Sequence, residues 1–200
     1  LIARFWDVEK GEISIGRHNI KEYSLESLMR QISMVFQNVY LFQDTIENNI
    51  KFAKPDATHE EVIEAAKKAC CHEFIMKLPE QYETVIGEGG ASLSGGERQR
   101  ISIARAMIKN APIIIFDEAT ANVDPENEDK LQVAMEELTR NKTVIMIAHR
   151  LKTIKNANQI LVLANGKITQ QGTHEELIQV DGIYKKFVEA RQVAAKWQLS

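Results

Sequence analysis

Two hundred residues with 44% hydrophobic and 26% charged side chains can bury a core, which excludes wholesale disorder. A net charge of −3 argues against a chain whose main partner is nucleic acid, and no apolar run approaches the roughly 20 residues of a membrane span. The two cysteines, Cys70 and Cys71, are adjacent; they are too few for a disulfide scaffold or a zinc site and fit a reducing compartment.

In chain order, the opening Leu1-Ile2-Ala3-Arg4-Phe5-Trp6-Asp7 has no initiator Met and no signal-peptide pattern. It reads as the tail of an amphipathic helix, so the chain is expected to begin inside a larger unit. Residues 12–15 are expected to form a short strand, 24–28 a short capped helix, and 32–36 a strand ending at Gln37. A long helical stretch is expected from 55 to 78. Thr58 caps it, Glu61 completes a capping box, and Pro79 ends it. Its expected core face holds Ile63, Ala66, Cys70 and Phe74, and Glu64 and Lys68 pair on another face. A glycine-rich loop, Gly87-Glu88-Gly89-Gly90, precedes a second long helix over 94–109, with Ile101, Ala104 and Ile108 on one stripe.

Residues 113–116 are β-branched and apolar on both faces, the pattern of a buried parallel strand. Asp124-Pro125 starts a helix whose core face is Leu131, Ala134, Met135 and Leu138. Residues 143–148 read as another buried strand. Asn165-Gly166 marks a hairpin between 159–163 and 167–171, Thr173 and Glu176 form a further capping box, and a last helix starts near Ile183. Alternating strands and helices predict an α/β fold with a mainly parallel sheet, closed by a small antiparallel hairpin. Residues 38–93 read as a helical insertion without strands.

Four segments carry chemistry. Leu93-Ser94-Gly95-Gly96-Glu97 opens a helix with a capping box. Its glycines expose backbone N–H groups at the positive end of the helix dipole, a ready anion site. Asp117 and Glu118 leave a buried parallel strand where open α/β sheets place their ligands. Strand alternation points them apart, which suits one carboxylate to Mg²⁺ and the other to polarising a water. His149 and Gln37 follow two other strands. Taken singly, each has a plain structural reading: a capped helix, solvated loop acids, a satisfied histidine, a loop amide.

Taken in order, they resemble the nucleotide-binding domain of ATP-binding cassette (ABC) transporters, over essentially all 200 residues. Leu93–Glu97 matches the signature motif, residues 113–117 match Walker B, and Glu118 is the carboxylate after it. Ala121-Asn122-Val123-Asp124 falls at the D-loop, Gln37 at the Q-loop and His149 at the switch histidine. Tyr82-Glu83-Thr84-Val85-Ile86-Gly87-Glu88, Ala148-His149-Arg150-Leu151 and the run from Leu41 to Ile50 are similar to the exporter type.

The resemblance implies a P-loop NTPase core with an inserted helical subdomain: core over 1–37, helical part over 38–110, core again over 111–200. It implies an ATPase with ATP and Mg²⁺ as cofactors. Asp117 would organise Mg²⁺, Glu118 would be the general base, and His149 would contact the γ-phosphate. Gln37 would sense Mg²⁺ and the attacking water. Ser94, Gly95, Gly96 and Glu97, in the signature motif, would meet the ATP of a second such domain, and Asp124 would support communication across that pair. The implied partners are a second nucleotide-binding domain, identical or different, closing head to tail, and a transmembrane domain, with no nucleic acid. The implied place is the cytoplasmic face of the plasma (inner) membrane, in a transporter that exports its substrate. A soluble ABC-type ATPase acting on nucleic acid or ribosomes is the alternative.

The sequence departs from the family pattern in three places. Gly89 stands where exporters often have Arg, and Asn122-Val123 replaces a commoner D-loop pair. No Gly-x-x-x-x-Gly-Lys-Ser/Thr occurs. The phosphate loop is therefore expected upstream of Leu1, and the 200 residues by themselves are expected not to hydrolyse ATP. A missing strand is also expected to leave an open sheet edge.

Overall fold

The computed structural model describes residues 1–90, 92–117, 125–147 and 154–197. Two compact units divide the chain, Leu1–Ile147 and Ala148–Ser200.

The first unit is organised on three parallel strands, β3 (Ile32–Phe36), β6 (Ile113–Asp117) and β7 (Thr143–Ile147), in the order β3-β6-β7. The register sets Ile32 opposite Ile113 and Phe36 opposite Asp117, and then Asp117 opposite Ile147. β6 is central and apolar on both faces, as a parallel strand with neighbours on each side demands. Its Ile114 and Phe116 join the main core with Val35. Its Ile115 joins Ile20, Leu28 and Ile32 in a smaller cluster. Before the sheet come a two-strand ribbon, β1 (Ser14–Ile15) with β2 (His18–Asn19), and helix α1 (Leu25–Gln31), capped by Ser24.

Between β3 and β6 lie β4 (Asp44–Thr45), α2 (Ile46–Lys51), α3 (His59–Lys68), α4 (His72–Ile75), β5 (Val85–Ile86) and α5 (Gly95–Lys109). α6 (Pro125–Thr139) follows β6 and buries Leu131, Ala134, Met135 and Leu138, the face read from the sequence.

Five expectations need correction. Residues 1–7 are not the end of a helix. They form a turn in which Arg4 N–H donates to Leu1 O (2.8 Å), and the Arg4 guanidinium donates to Tyr23 O (3.1 Å). The long helix over 55–78 is broken in two. Cys70 adopts a left-handed φ of 54°, Cys71 N–H bonds Ala66 O (2.9 Å), and Cys70 N–H bonds Lys67 O (3.0 Å). That bonding is a Schellman stop, with cysteine at the position glycine usually takes. Residues 38–93 are not strand-free, because β4 and β5 pair antiparallel. α5 does not bury a single stripe: Gly96, Gln99, Arg100, Ile101, Ser102, Ile103, Ala104 and Ala106 are all buried. β7 forms as a parallel strand but is not buried, with Val144 38% and Ile147 54% exposed.

The second unit pairs β8 (Ile160–Ala164) with β9 (Lys167–Gly172) across Asn165 and Gly166, both left-handed at φ 51° and 72°. That is the geometry the Asn-Gly pair favours. Thr173 caps α7 (His174–Gln179) through the expected box with Glu176, and α8 (Ile183–Trp197) completes the unit. Ile160, Leu177, Tyr184 and Val188 form its core.

Candidate functional site

β3 and β6 run parallel and in register, so both end on one edge of the sheet. Asp117 is half-buried at the last position of β6. Phe36 is its partner, and Gln37 is the exposed residue immediately beyond. Carboxyl ends of parallel strands are where α/β sheets present ligand-binding groups.

α5 lies antiparallel to β3 and is fastened to it at both ends. Gln99 Nε2 donates to Phe36 O (3.3 Å), and Lys109 Nζ donates to Ile32 O (2.6 Å). Burial pushes the Lys109 pKa below the ordinary lysine range. The N-terminus of α5 therefore points toward the same sheet edge as Gln37 and Asp117. Ser94 precedes Gln99 by five residues, about 7.5 Å of helix rise.

The start of α5 is a complete capping box. Ser94 N–H donates to Glu97 Oε2 (2.8 Å), and Glu97 N–H donates to Ser94 Oγ (3.3 Å). The Glu97 carboxylate is thereby committed to its own backbone. Gly95 and Gly96 occupy the first turn, where amides have no intrahelical acceptor, and neither carries a side chain to cover them. The arrangement can bind an oxyanion.

The loop before it is set by two consecutive left-handed glycines, Gly89 (φ 66°) and Gly90 (φ 74°). Gly89 N–H donates to Leu41 O (3.0 Å), and the Arg98 guanidinium donates to Gly90 O and Leu93 O. A Cβ on Gly90 would stand 2.7 Å from Arg98 Cδ, so any other residue here would have to displace the Arg98 side chain.

Arg105, further along α5, gathers the chain that follows Gln37. Its guanidinium donates to Asn49 O (2.8 Å), Asn49 Oδ1 (3.1 Å) and Tyr40 O (3.3 Å). It also lies over the rings of Phe42 and Phe52, 5.7 and 5.4 Å from their centroids. Burial pulls its pKa down to about 10, so it stays a cation at neutral pH. Sequence reasoning missed Gln99, Arg98 and Arg105. Of the expected site residues, the structure places Gln37, Ser94, Gly95, Gly96, Glu97 and Asp117; Glu118, Asp124 and His149 lie outside the described residues.

Residues 1–121 match the ABC transporter family. This chain is a member of that family. Among curated relatives, the ATP-dependent lipid A-core flippase of Syntrophus aciditrophicus (strain SB) is 53% identical over 186 residues, covering 93% of this chain and 31% of the relative. A Bacillus subtilis (strain 168) ATP-binding/permease protein, whose name refers to multidrug export, is 51% identical over 92% of this chain and 32% of its own length. The chain thus spans about a third of the relatives it matches. Among solved structures, a bacterial Atm1-family ABC exporter with ATP bound superposes with a TM-score of 0.88 at 42% identity, over 96% of this chain and 33% of that one. The ABC chain described here therefore has the P-loop NTPase fold of an exporter's nucleotide-binding domain. Among its described residues no helix is long and apolar enough to cross a membrane.

Proposed function

We propose that this chain is the ATP-hydrolysing domain of an export-type ABC transporter, working at the cytoplasmic face of the membrane. The observation that carries the reading is the shared edge. The ends of β3 and β6 bring Gln37 beside Asp117, and α5 directs its first-turn Gly95 and Gly96 amides toward that same edge.

The donors at this edge suit Mg²⁺. Asp117 supplies a carboxylate and Gln37 an amide oxygen, and hard oxygen donors are what this cation takes. Mg²⁺ is ordinarily held by one or two carboxylates together with substrate phosphates, so two protein donors suffice. When bound, it would neutralise charge on the phosphates. Within the chain, Asp117 and Gln37 would hold it, and Gln37 would also orient the attacking water. Glu118 would accept that water's proton, and His149 would hydrogen-bond the γ-phosphate. The Gly95 and Gly96 amides and the Ser94 hydroxyl would donate to the γ-phosphate of ATP held by a second nucleotide-binding domain. Glu97 would keep that turn in shape, and Asp124 would link the two domains. Catalysis of this type rests on positioning and electrostatics.

The proposed partners are that second domain, closing head to tail, and a transmembrane domain. Exposed aromatic rings at Tyr40, Phe42 and Phe52 offer an apolar contact surface for the latter. Relatives named for a lipid A-core flippase and for multidrug export match this chain at 53% and 51% identity. Cargo choice is therefore assigned to the membrane domain. The test is Glu118→Gln in the whole transporter. ATP hydrolysis is expected to fall to background with ATP binding retained, and undiminished hydrolysis would refute the assignment of the base.

A further inference from the structure

We propose that Gln99 and Arg105 are positioning residues for Gln37, so that α5 sets the place of Gln37 from both sides. The inference rests on the reading of Gln37 given above. The chain around Gln37 is suspended between two points on one helix. On its near side, Phe36 O accepts from Gln99 Nε2 at 3.3 Å, and Gln99 is 4% exposed. On its far side, Tyr40 O accepts from Arg105 Nη1 at 3.3 Å.

The far anchor is itself braced. Arg105 donates twice to Asn49, which is 1% exposed. Asn49 accepts from Phe42 N–H (2.9 Å) and donates to Phe42 O (3.0 Å) and Thr45 O (3.0 Å). Only Gln37, Asn38 and Val39 lie between the anchored residues, and Val39 packs against the main core. Gln99 and Arg105 are six residues apart, about 9 Å of helix rise. α5 is thus a splint reaching across the whole suspended segment. The same helix begins at the Ser94 cap. A displacement of that cap moves both anchors together, so α5 connects phosphate contact at its N-terminus to the placement of Gln37 without any contact between those groups.

The test is a double-mutant cycle in the whole transporter with Gln37→Ala, Gln99→Met and Arg105→Lys. Gln99→Met keeps side-chain length and loses the donor. It is expected to lower kcat about tenfold, the equivalent of one lost hydrogen bond. The KM for ATP should stay within twofold, and the Mg²⁺ concentration for half-maximal rate should rise as it does for Gln37→Ala. The double variant Gln37→Ala/Gln99→Met should be no slower than Gln37→Ala alone, because both act on one group. Lys109→Met breaks the remote bond to Ile32 O and should combine multiplicatively with Gln37→Ala. Arg105→Lys keeps the charge but cannot span the three acceptors. It should reproduce the Mg²⁺ shift even where Gln99→Met fails to fold.

Multiplicative loss in the Gln37/Gln99 and Gln37/Arg105 pairs, or losses in KM alone, would overturn the inference and leave the proposed function standing. An unaltered Mg²⁺ dependence in Gln37→Ala would overturn the role given to Gln37 and, with it, this inference.

Discussion

Gly90→Ala is the sharpest probe of the loop before α5, because its neighbour supplies an internal control. Both Gly89 and Gly90 hold left-handed backbone, at φ 66° and 74°. For an alanine that conformation costs roughly 1–2 kcal/mol, partly offset by about 0.4–1 kcal/mol from a stiffer unfolded chain. At Gly89 nothing lies within 4 Å of an added Cβ, so the net cost should be about 1 kcal/mol. At Gly90 the new methyl would sit 2.7 Å from Arg98 Cδ and 3.1 Å from both Arg98 Cγ and Leu41 Cδ1. Leu41 is fully buried and cannot yield, so Arg98 must leave, and with it the bonds to Gly90 O and Leu93 O. Losing that charged donor adds about 2 kcal/mol, for a total near 3 kcal/mol. Urea denaturation at constant m reads both costs as shifts in midpoint. Arg98→Ala should cost less in the Gly90→Ala background than alone, since the clash has already broken its contacts. Equal midpoints for Gly89→Ala and Gly90→Ala, or strict additivity with Arg98→Ala, would refute the reasoning.

Three further outcomes are expected. Ser94→Ala should cost about 1 kcal/mol by loss of the cap, whereas Ser94→Asp retains a cap and should stay within about 0.5 kcal/mol of the parent. Because it sets a negative charge beside the turn where the Gly95 and Gly96 amides would meet phosphate, Ser94→Asp should nevertheless abolish ATP hydrolysis in the whole transporter, and full activity would sink the anion role. The Cys71 thiol is buried, donates to Ala66 O (3.3 Å), and has its pKa pushed up to about 12 by burial. Iodoacetamide on the native protein should therefore label the half-buried Cys70 first; mass spectrometry showing Cys71 labelled first would contradict this. On α6, Leu131→Ala (1% exposed) should cost about 2–5 kcal/mol and Val133→Ala (55% exposed) under about 0.5 kcal/mol, and similar midpoints would mean the buried face is misassigned.

What the sequence revealed and what it hid divide along physical lines. Capping boxes at Thr58, Ser94 and Thr173 were legible because four consecutive residues contain the whole interaction. The parallel β3–β6–β7 ladder followed from apolar runs alternating with helices. The stop at Cys70 was hidden because its signal is usually glycine. β4 and β5 have two residues each, too few to show a period. β7 reads as buried from its Val-Ile-Met-Ile run, but burial depends on what covers a strand, which its own composition does not record. Gln99 and Arg105 act on backbone 63 and 56 residues away. No local pattern marks such reach, so the acceptors of these side chains could only come from the folded chain.

The three capping boxes also differ in what they do with the electric field at a helix start. In Thr58-His59-Glu60-Glu61 and Thr173-His174-Glu175-Glu176, an extra glutamate stands in the first turn. Those helices answer their own dipole, and hydrogen bonds to its backbone N–H and to Thr58 hold the Glu60 carboxyl below its usual range. In Ser94-Gly95-Gly96-Glu97 the two intervening side chains are simply missing. The box still folds the turn, yet the field is left for something else to complete. One four-residue grammar thus yields two self-contained helix starts and one receptive one, and the difference is made by deleting side chains rather than by adding them.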